Sequence, residues 1–207
     1  MFYQFFSRIF APYIVLPFLR LFNRVKIYGR EHIPADGPVV IIANHISSWD
    51  PVFLYCLIRR RAYFMAKAEL FQIPPLRLLF RYICVFPVTR DAVDRKAIRT
   101  ALKVLEEGHI LAIFPEGSRS KTGELQPFKA GASLFAHHSK ATVIPVLFEN
   151  TQNAFPNSIW QKIRITFGKP VDLSMYQDQK ANSALFATMS ETLRQSLENL
   201  QAEKEFR

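Results

Sequence analysis

Cysteine, acidic side chains and long apolar runs are what this chain has little of. Its two cysteines, Cys56 and Cys84, lie in apolar stretches and share no metal-ligand spacing. That placement reads as two reduced core thiols in a cytoplasmic compartment, with no disulfide framework and no zinc pattern. Acidic residues number 17 against 27 Lys and Arg, so the formal charge is +10. A surplus of that size fits nucleic acid or an anionic membrane surface. There is no Walker loop, no G-x-G-x-x-G fingerprint and no G-x-S-x-G elbow, which leaves no motif for nucleotide binding or a serine hydrolase. No internal repeat, low-complexity tract or linker divides the 207 residues, a length that suits one domain.

Aromatic residues, by contrast, are plentiful at 14%, with 19 Phe. They crowd the start of the chain. Between Ile9 and Leu19 runs a charge-free stretch of 11 residues interrupted by Pro12 and Pro17, too short and too broken to span a bilayer. It also lacks the ordered zones of a signal peptide. Gln4, Ser7, Arg8 and Ala11 share one side of a helix, while Phe2, Phe5, Phe6, Ile9 and Phe10 cover the rest. With Arg20, Arg24 and Lys26 following, residues 1–24 read as an amphipathic helical segment lying in a lipid interface. A helical hairpin packed on the core is the competing reading. The expected placement is peripheral or monotopic, on the cytoplasmic side of a membrane. No nucleic-acid motif accompanies the basic charge, so a nucleic-acid partner is not expected.

From Val25 to Arg207, short β-branched runs alternate with helical patterns, which predicts a single α/β domain with a mostly parallel sheet flanked by helices. The predicted strands are Val25–Gly29, Val39–Ala43, Ala62–Ala66, Cys84–Val88, Ile110–Phe114, Val143–Leu147 and Ile163–Phe167. Pro145 marks its strand as an edge or a bulge. Helices are predicted from the Asp50 region to about Arg60, from Pro75, from an Asp91 cap to Gly108, over Pro127–His138, and at the C-terminus. The last carries Leu185, Met189, Leu193, Leu197 and Leu200 as a core stripe.

Three of the predicted strands end in groups that carry chemistry. The first runs into Asn44-His45-Ile46-Ser47-Ser48-Trp49-Asp50. Ser47 or Ser48 is placed to cap the helix that follows, and Pro51 is tolerated in its first turn. His45 then stands at a strand end and Asp50 in the first helical turn, close enough for imidazole and carboxylate to meet where α/β folds bind ligands. On spacing alone a capped helix start with a surface histidine is the favoured reading, and the motif needs support from elsewhere in the chain. The second strand end leads to Arg90, and the third to Phe114-Pro115-Glu116-Gly117-Ser118-Arg119-Ser120.

With these motifs the chain resembles the glycerolipid acyltransferase family of the 1-acylglycerol-3-phosphate acyltransferase type. Asn44, His45 and Asp50 match its N-H-x-x-x-x-D motif, and residues 114–120 match F-P-E-G-[ST]-R-S. The Phe128-Lys129-Ala130-Gly131 and Val143-Ile144-Pro145-Val146 segments are similar to later blocks, in the expected order. A G-x-x-F-x-x-R block is present in part: Cys84 stands near the usual glycine, while Phe86 and Arg90 remain. The resemblance implies transfer of a fatty acyl group from acyl-CoA or acyl-carrier protein to the sn-2 hydroxyl of 1-acyl-sn-glycerol 3-phosphate, giving phosphatidate. The altered block leaves another lysophospholipid, a lyso-aminolipid or a glycolipid open as acceptor. Neither a metal nor a bound cofactor is implied.

Acyl transfer from a thioester to an alcohol needs no protein nucleophile, only a base for the hydroxyl proton. His45 suits that task, with Asp50 fixing its tautomer. With Lys67, at a strand end, read from its position as a weaker third, the resemblance assigns Arg119 and Arg90 to the acceptor phosphate, and guanidinium forks suit that ligand. It places Glu116, Gly117 and Ser118 at the substrate: Glu116 as an orienting carboxylate that contacts a glycerol hydroxyl or pairs with an arginine, Gly117 for a tight turn.

Overall fold

The computed structural model describes residue 11, residues 13–89 and residues 93–205. Seven strands build one sheet: β1 (Asn23–Tyr28), β2 (Val39–Ala43), β3 (Ala62–Lys67), β4 (Val85–Val88), β5 (Ile110–Ile113), β6 (Thr142–Glu149) and β7 (Gln161–Phe167). Their order is β1-β7-β6-β2-β5-β3-β4. All neighbours pair in parallel except β6 and β7. The helices are α1 (Leu16–Phe22), α2 (Asp50–Leu57), α3 (Pro74–Tyr82), α4 (Arg95–Glu106), α5 (Gly131–Ser139) and α6 (Ser183–Glu205).

The continuous apolar run of β2 explains its central place. Val39, Ile41 and Ala43 enter a core that also takes α1 and α2, while Val40 and Ile42 enter the opposite core with α4, α5 and α6. A strand buried on both faces needs no polar alternation, and this one has none. In α6 the stripe expected from sequence is buried at Leu185, Met189, Leu193 and Leu197. In α1, Leu16 and Leu19 join the core, whereas Phe18 and Leu21, and Tyr13 and Ile14 just before the helix, are exposed. The expected interfacial segment, residues 1–24, therefore has its first ten residues and Pro12 outside the described residues, and β1 already begins at Asn23. Among the described residues no helix is long and apolar enough to cross a membrane.

Four local expectations are corrected. Pro145 is interior, because β6 lies between β7 and β2. The ladder to β7 starts only at Val146, and the Pro145 carbonyl accepts from Gly168 N–H at 2.8 Å, so the missing N–H falls beyond that ladder. Trp49, not a serine, is the residue before α2, and it makes no side-chain cap. Ser47 Oγ instead accepts from Trp49 N–H at 3.1 Å. Asp94 caps α4, accepting from Ala97 N–H at 2.9 Å; Asp91 lies outside the described residues. Finally, α5 begins at Gly131 rather than Pro127, since Lys129 N–H is drawn to Pro115 C=O at 2.9 Å.

The parallel arrangement sets the geography of the site. β2, β3, β4, β5 and β6 end on one edge of the sheet, and the reversed β1 and β7 begin there.

Candidate active site

Where the ladder between β2 and β6 stops, a side chain continues it. Asn44 Oδ1 accepts from Phe148 N–H at 2.7 Å, and its Nδ2 donates to Phe148 C=O at 2.9 Å. The amide thus stands in for a peptide group, and the main chain is released to turn outward at His45. That turn is held from the β5 side. His45 N–H donates to Glu116 Oε1 at 2.8 Å, and His45 C=O accepts from Ser120 N–H at 2.7 Å.

The His45 ring stacks on Phe114, with centroids 4.2 Å apart, and its Nδ1 lies 2.9 Å from Asp50 Oδ2. A carboxylate only accepts, so Nδ1 carries the hydrogen and Nε2 of the neutral ring keeps its lone pair. The side chain is 17% exposed, so the ring is not sealed off from solvent.

Asp50 is fully buried, a costly position for a charge unless its oxygens are satisfied. They are. Oδ2 accepts from His45 Nδ1–H and from the N–H groups of Ile46 and Ser47 at 2.8 and 2.7 Å. Oδ1 accepts from Thr151 Oγ1 at 2.5 Å. Proline in the first turn of α2 fixes the backbone beside this carboxylate.

Glu116 is buried too. Burial pushes its carboxyl above the ordinary value, while the backbone donors His45 and Gln126 pull it back. Its oxygens hold those two N–H groups, at 2.8 and 3.2 Å, and it forms no ion pair among the described residues. The arginine pairing expected from sequence is thus absent there; the carboxylate orients the His45 backbone. Gly117 sits at φ +75°, the left-handed region, and its N–H closes a turn on Phe114 C=O at 3.0 Å. A Cβ there would also lie 2.8 Å from Lys129 Cε.

The expected phosphate ligands divide. Arg119 is exposed, and its Nη1 donates to Ser48 Oγ at 2.7 Å, which places it across the His45 turn. Ser118 is exposed beside it, 3.4 Å from Gln126 Oε1. Lys67 stands at the end of β3, on the same edge but two strands from β2, with Nζ 2.9 Å from Glu69 Oε1. Arg90 lies outside the described residues, shortly after β4. Cys84, near the expected glycine, adopts φ +55°, a conformation that glycine takes without strain.

Sequence reasoning missed Thr151 and the work done by Asn44 and Ser120. Thr151 follows the end of β6, and only the adjacency of β6 to β2 brings it to Asp50. No local signal carries that adjacency. Among the described residues no group of His, Cys, Asp or Glu could hold a metal ion.

Comparison with known proteins follows the same lines. The Acyltransferase family profile matches residues 24–149, a stretch that contains His45, Asp50 and the whole 114–120 loop. A 1-acyl-sn-glycerol-3-phosphate acyltransferase of Bacillus subtilis is 32% identical over 184 residues, covering 88% of this chain and 91% of that protein. Another, of Borreliella burgdorferi, is 31% identical over 138 residues, and the match spans 66% of this chain and 55% of that protein. Among solved structures, the 1-acyl-sn-glycerophosphate (LPA) acyltransferase PlsC of Thermotoga maritima has the same fold. Its TM-score is 0.67 at 22% identity, covering 97% of this chain and 94% of that one.

Proposed function

The chain belongs to the acyltransferase family, and on that premise we propose that it acylates the sn-2 hydroxyl of 1-acyl-sn-glycerol 3-phosphate to give phosphatidate, with acyl-CoA or acyl-carrier protein as donor. The observation that carries the reading is the His45–Asp50 pair, with Nδ1 held 2.9 Å from Asp50 Oδ2 and the imidazole still partly exposed.

In this reading Nε2 takes the proton of the acceptor hydroxyl as its oxygen bonds to the thioester carbonyl carbon. The C=O electrons move onto oxygen, giving a tetrahedral intermediate. Its collapse re-forms C=O, breaks the C–S bond and expels the thiolate. The imidazolium then returns its proton to the departing sulfur. Asp50 holds the ring in register through both transfers and stabilises the cation between them. Four donors already satisfy the carboxylate, so it stays in place.

Arg119 is tied to the His45 turn through Ser48 Oγ, and we assign it to the acceptor phosphate. Arg90 and Lys67 are further ligands in the same role, Gly117 lets the loop approach the substrate, and Ser118 adds a hydroxyl at the loop surface. Glu116 acts behind the substrate, fixing the peptide of His45. The lipid substrate and the exposed apolar residues of α1 support a peripheral position on an anionic membrane, and residues 1–24 are proposed as the segment that meets it.

The test is a turnover assay on the purified full chain, offering acyl-CoA and acyl-carrier protein separately against a panel of lysolipids. Phosphatidate formed fastest from the lysophosphatidate acceptor supports the reading. Equal rates on acceptors lacking the phosphate overturn the acceptor assignment and release Arg90, Lys67 and Arg119 from their roles.

A further inference from the structure

We infer that a second apolar outcrop, formed by Leu70 and Ile73 with Leu78 and Leu79 of α3, lies on an anionic phospholipid surface and flanks the catalytic edge on the side away from α1. This inference rests on the reading that the acceptor is a membrane lipid.

α3 is unusual for a helix of an α/β domain because it contains no buried residue. Leu76 and Phe80 are half-buried toward the protein, and the Phe80 ring meets Phe71 at 5.0 Å, which anchors the segment. Leu78 and Leu79 remain 56% and 41% exposed, and the preceding Leu70 and Ile73 are exposed as well. Four large apolar side chains in ten residues make a patch rather than scattered surface leucines. Arg77 and Arg81, four residues apart, stand together on one flank of the helix and are both exposed. Neither forms an ion pair among the described residues. A helix with an outward leucine face and arginines beside it has the make-up of an interfacial helix.

The position of the patch favours a flat, charged partner. Leu70 and Ile73 follow directly on the end of β3, at the edge where β2 delivers His45. With β5 intervening, β3 is two strands from β2, about 10 Å at normal strand spacing. On the other side of His45, α1 leads into the start of β1, and Trp160 stands just before β7, both on that same edge. Phe18, Leu21 and Trp160 are exposed there. Arg24 lies over the Trp160 ring at 6.0 Å. The catalytic edge is therefore bracketed by two apolar outcrops, each carrying arginine. A lipid surface meets both together and brings the lysolipid hydroxyl level with the imidazole. The basic charge of the chain, +10, matches anionic headgroups.

The test compares the full-length wild type with the double variants Leu78→Ser/Leu79→Ser and Arg77→Gln/Arg81→Gln. Co-sedimentation is measured with phosphatidylcholine vesicles with and without phosphatidylglycerol, and acyl transfer with a short-chain lysophosphatidate kept below its micelle concentration. The leucine variant is expected to bind both vesicle types on the order of tenfold more weakly. The arginine variant should lose a similar factor on phosphatidylglycerol vesicles only. Both should turn over the dispersed acceptor as the wild type does. Unchanged sedimentation of both variants overturns the inference. So does a wild-type dimer, seen by light scattering, that the leucine substitutions dissolve, or binding to an acidic carrier protein that the arginine substitutions abolish while vesicle binding persists. A wild type that binds vesicles through α3 but does not acylate the dispersed acceptor leaves this contact standing and sinks the proposed reaction instead.

Discussion

A carboxylate removed from water must be surrounded by donors, and Asp50 shows what that costs in specific residues. Three of its four hydrogen bonds come from the turn it belongs to, and the fourth comes from Thr151. Hydrogen bonds to charged groups are worth about 1.5–3 kcal/mol. Thr151→Val should accordingly lower kcat about tenfold with KM little changed, while Thr151→Ser restores it. Steady-state kinetics on the three proteins check this; a Ser variant as slow as Val would reduce Thr151 to packing. Glu116 offers a pH signature. Burial holds its carboxyl above the ordinary 4.5, against the pull of the His45 and Gln126 N–H groups. The native state then keeps a proton that the unfolded chain has lost. The favourable contribution is complete below about pH 4.5 and is lost as pH rises through the raised value. Relative to Glu116→Gln, which has no such proton, the wild type should therefore become less stable from pH 4.5 toward neutrality. Urea midpoints across that range read it out, and a wild-type advantage that grows with pH contradicts it.

Among the elements, β2 and the turn after it bear most of the architecture. Asn44 ties the end of β2 to β6 through both main-chain groups of Phe148. Asn44→Ala leaves those buried groups unpaired, at about 1–3 kcal/mol each, so urea unfolding should show a loss of about 2–6 kcal/mol. A loss well under 1 kcal/mol would mean that the strand end relaxes without it. The strand itself was legible in the sequence, since Val39–Ala43 can only be buried on both faces. So was the C-terminal helix, from the spacing of Leu185, Met189, Leu193 and Leu197. Pro145 misled because a proline reports a missing donor and not which neighbour needed it. The ladder to β7 begins one residue later, at Val146, so an interior strand tolerates it. The cap of α4 moved from Asp91 to Asp94 for a similar reason: either aspartate can precede a helix, and contacts outside the segment choose.

At the scale of the whole molecule, function follows from which strand ends share an edge. The sequence marked three ends that carry chemistry, and the parallel sheet places β2 and β5 side by side so that His45 and Glu116 touch. It could not mark Thr151, because a threonine in a loop acquires meaning only when β6 pairs with β2 across about a hundred residues. The two apolar outcrops were legible unequally. α1 belongs to an aromatic, basic segment that announces itself, whereas the sequence marks only a short apolar helix from Pro75, and its exposed leucines emerge with the structure. The central claim, that the imidazole of His45 takes the acceptor proton, is tested most directly by acyl transfer from a thioester donor to lysophosphatidate in purified His45→Ala with wild-type secondary structure. A fall of about 10²–10⁴-fold with vesicle binding unchanged is the expected result. Wild-type turnover in that variant would contradict the account.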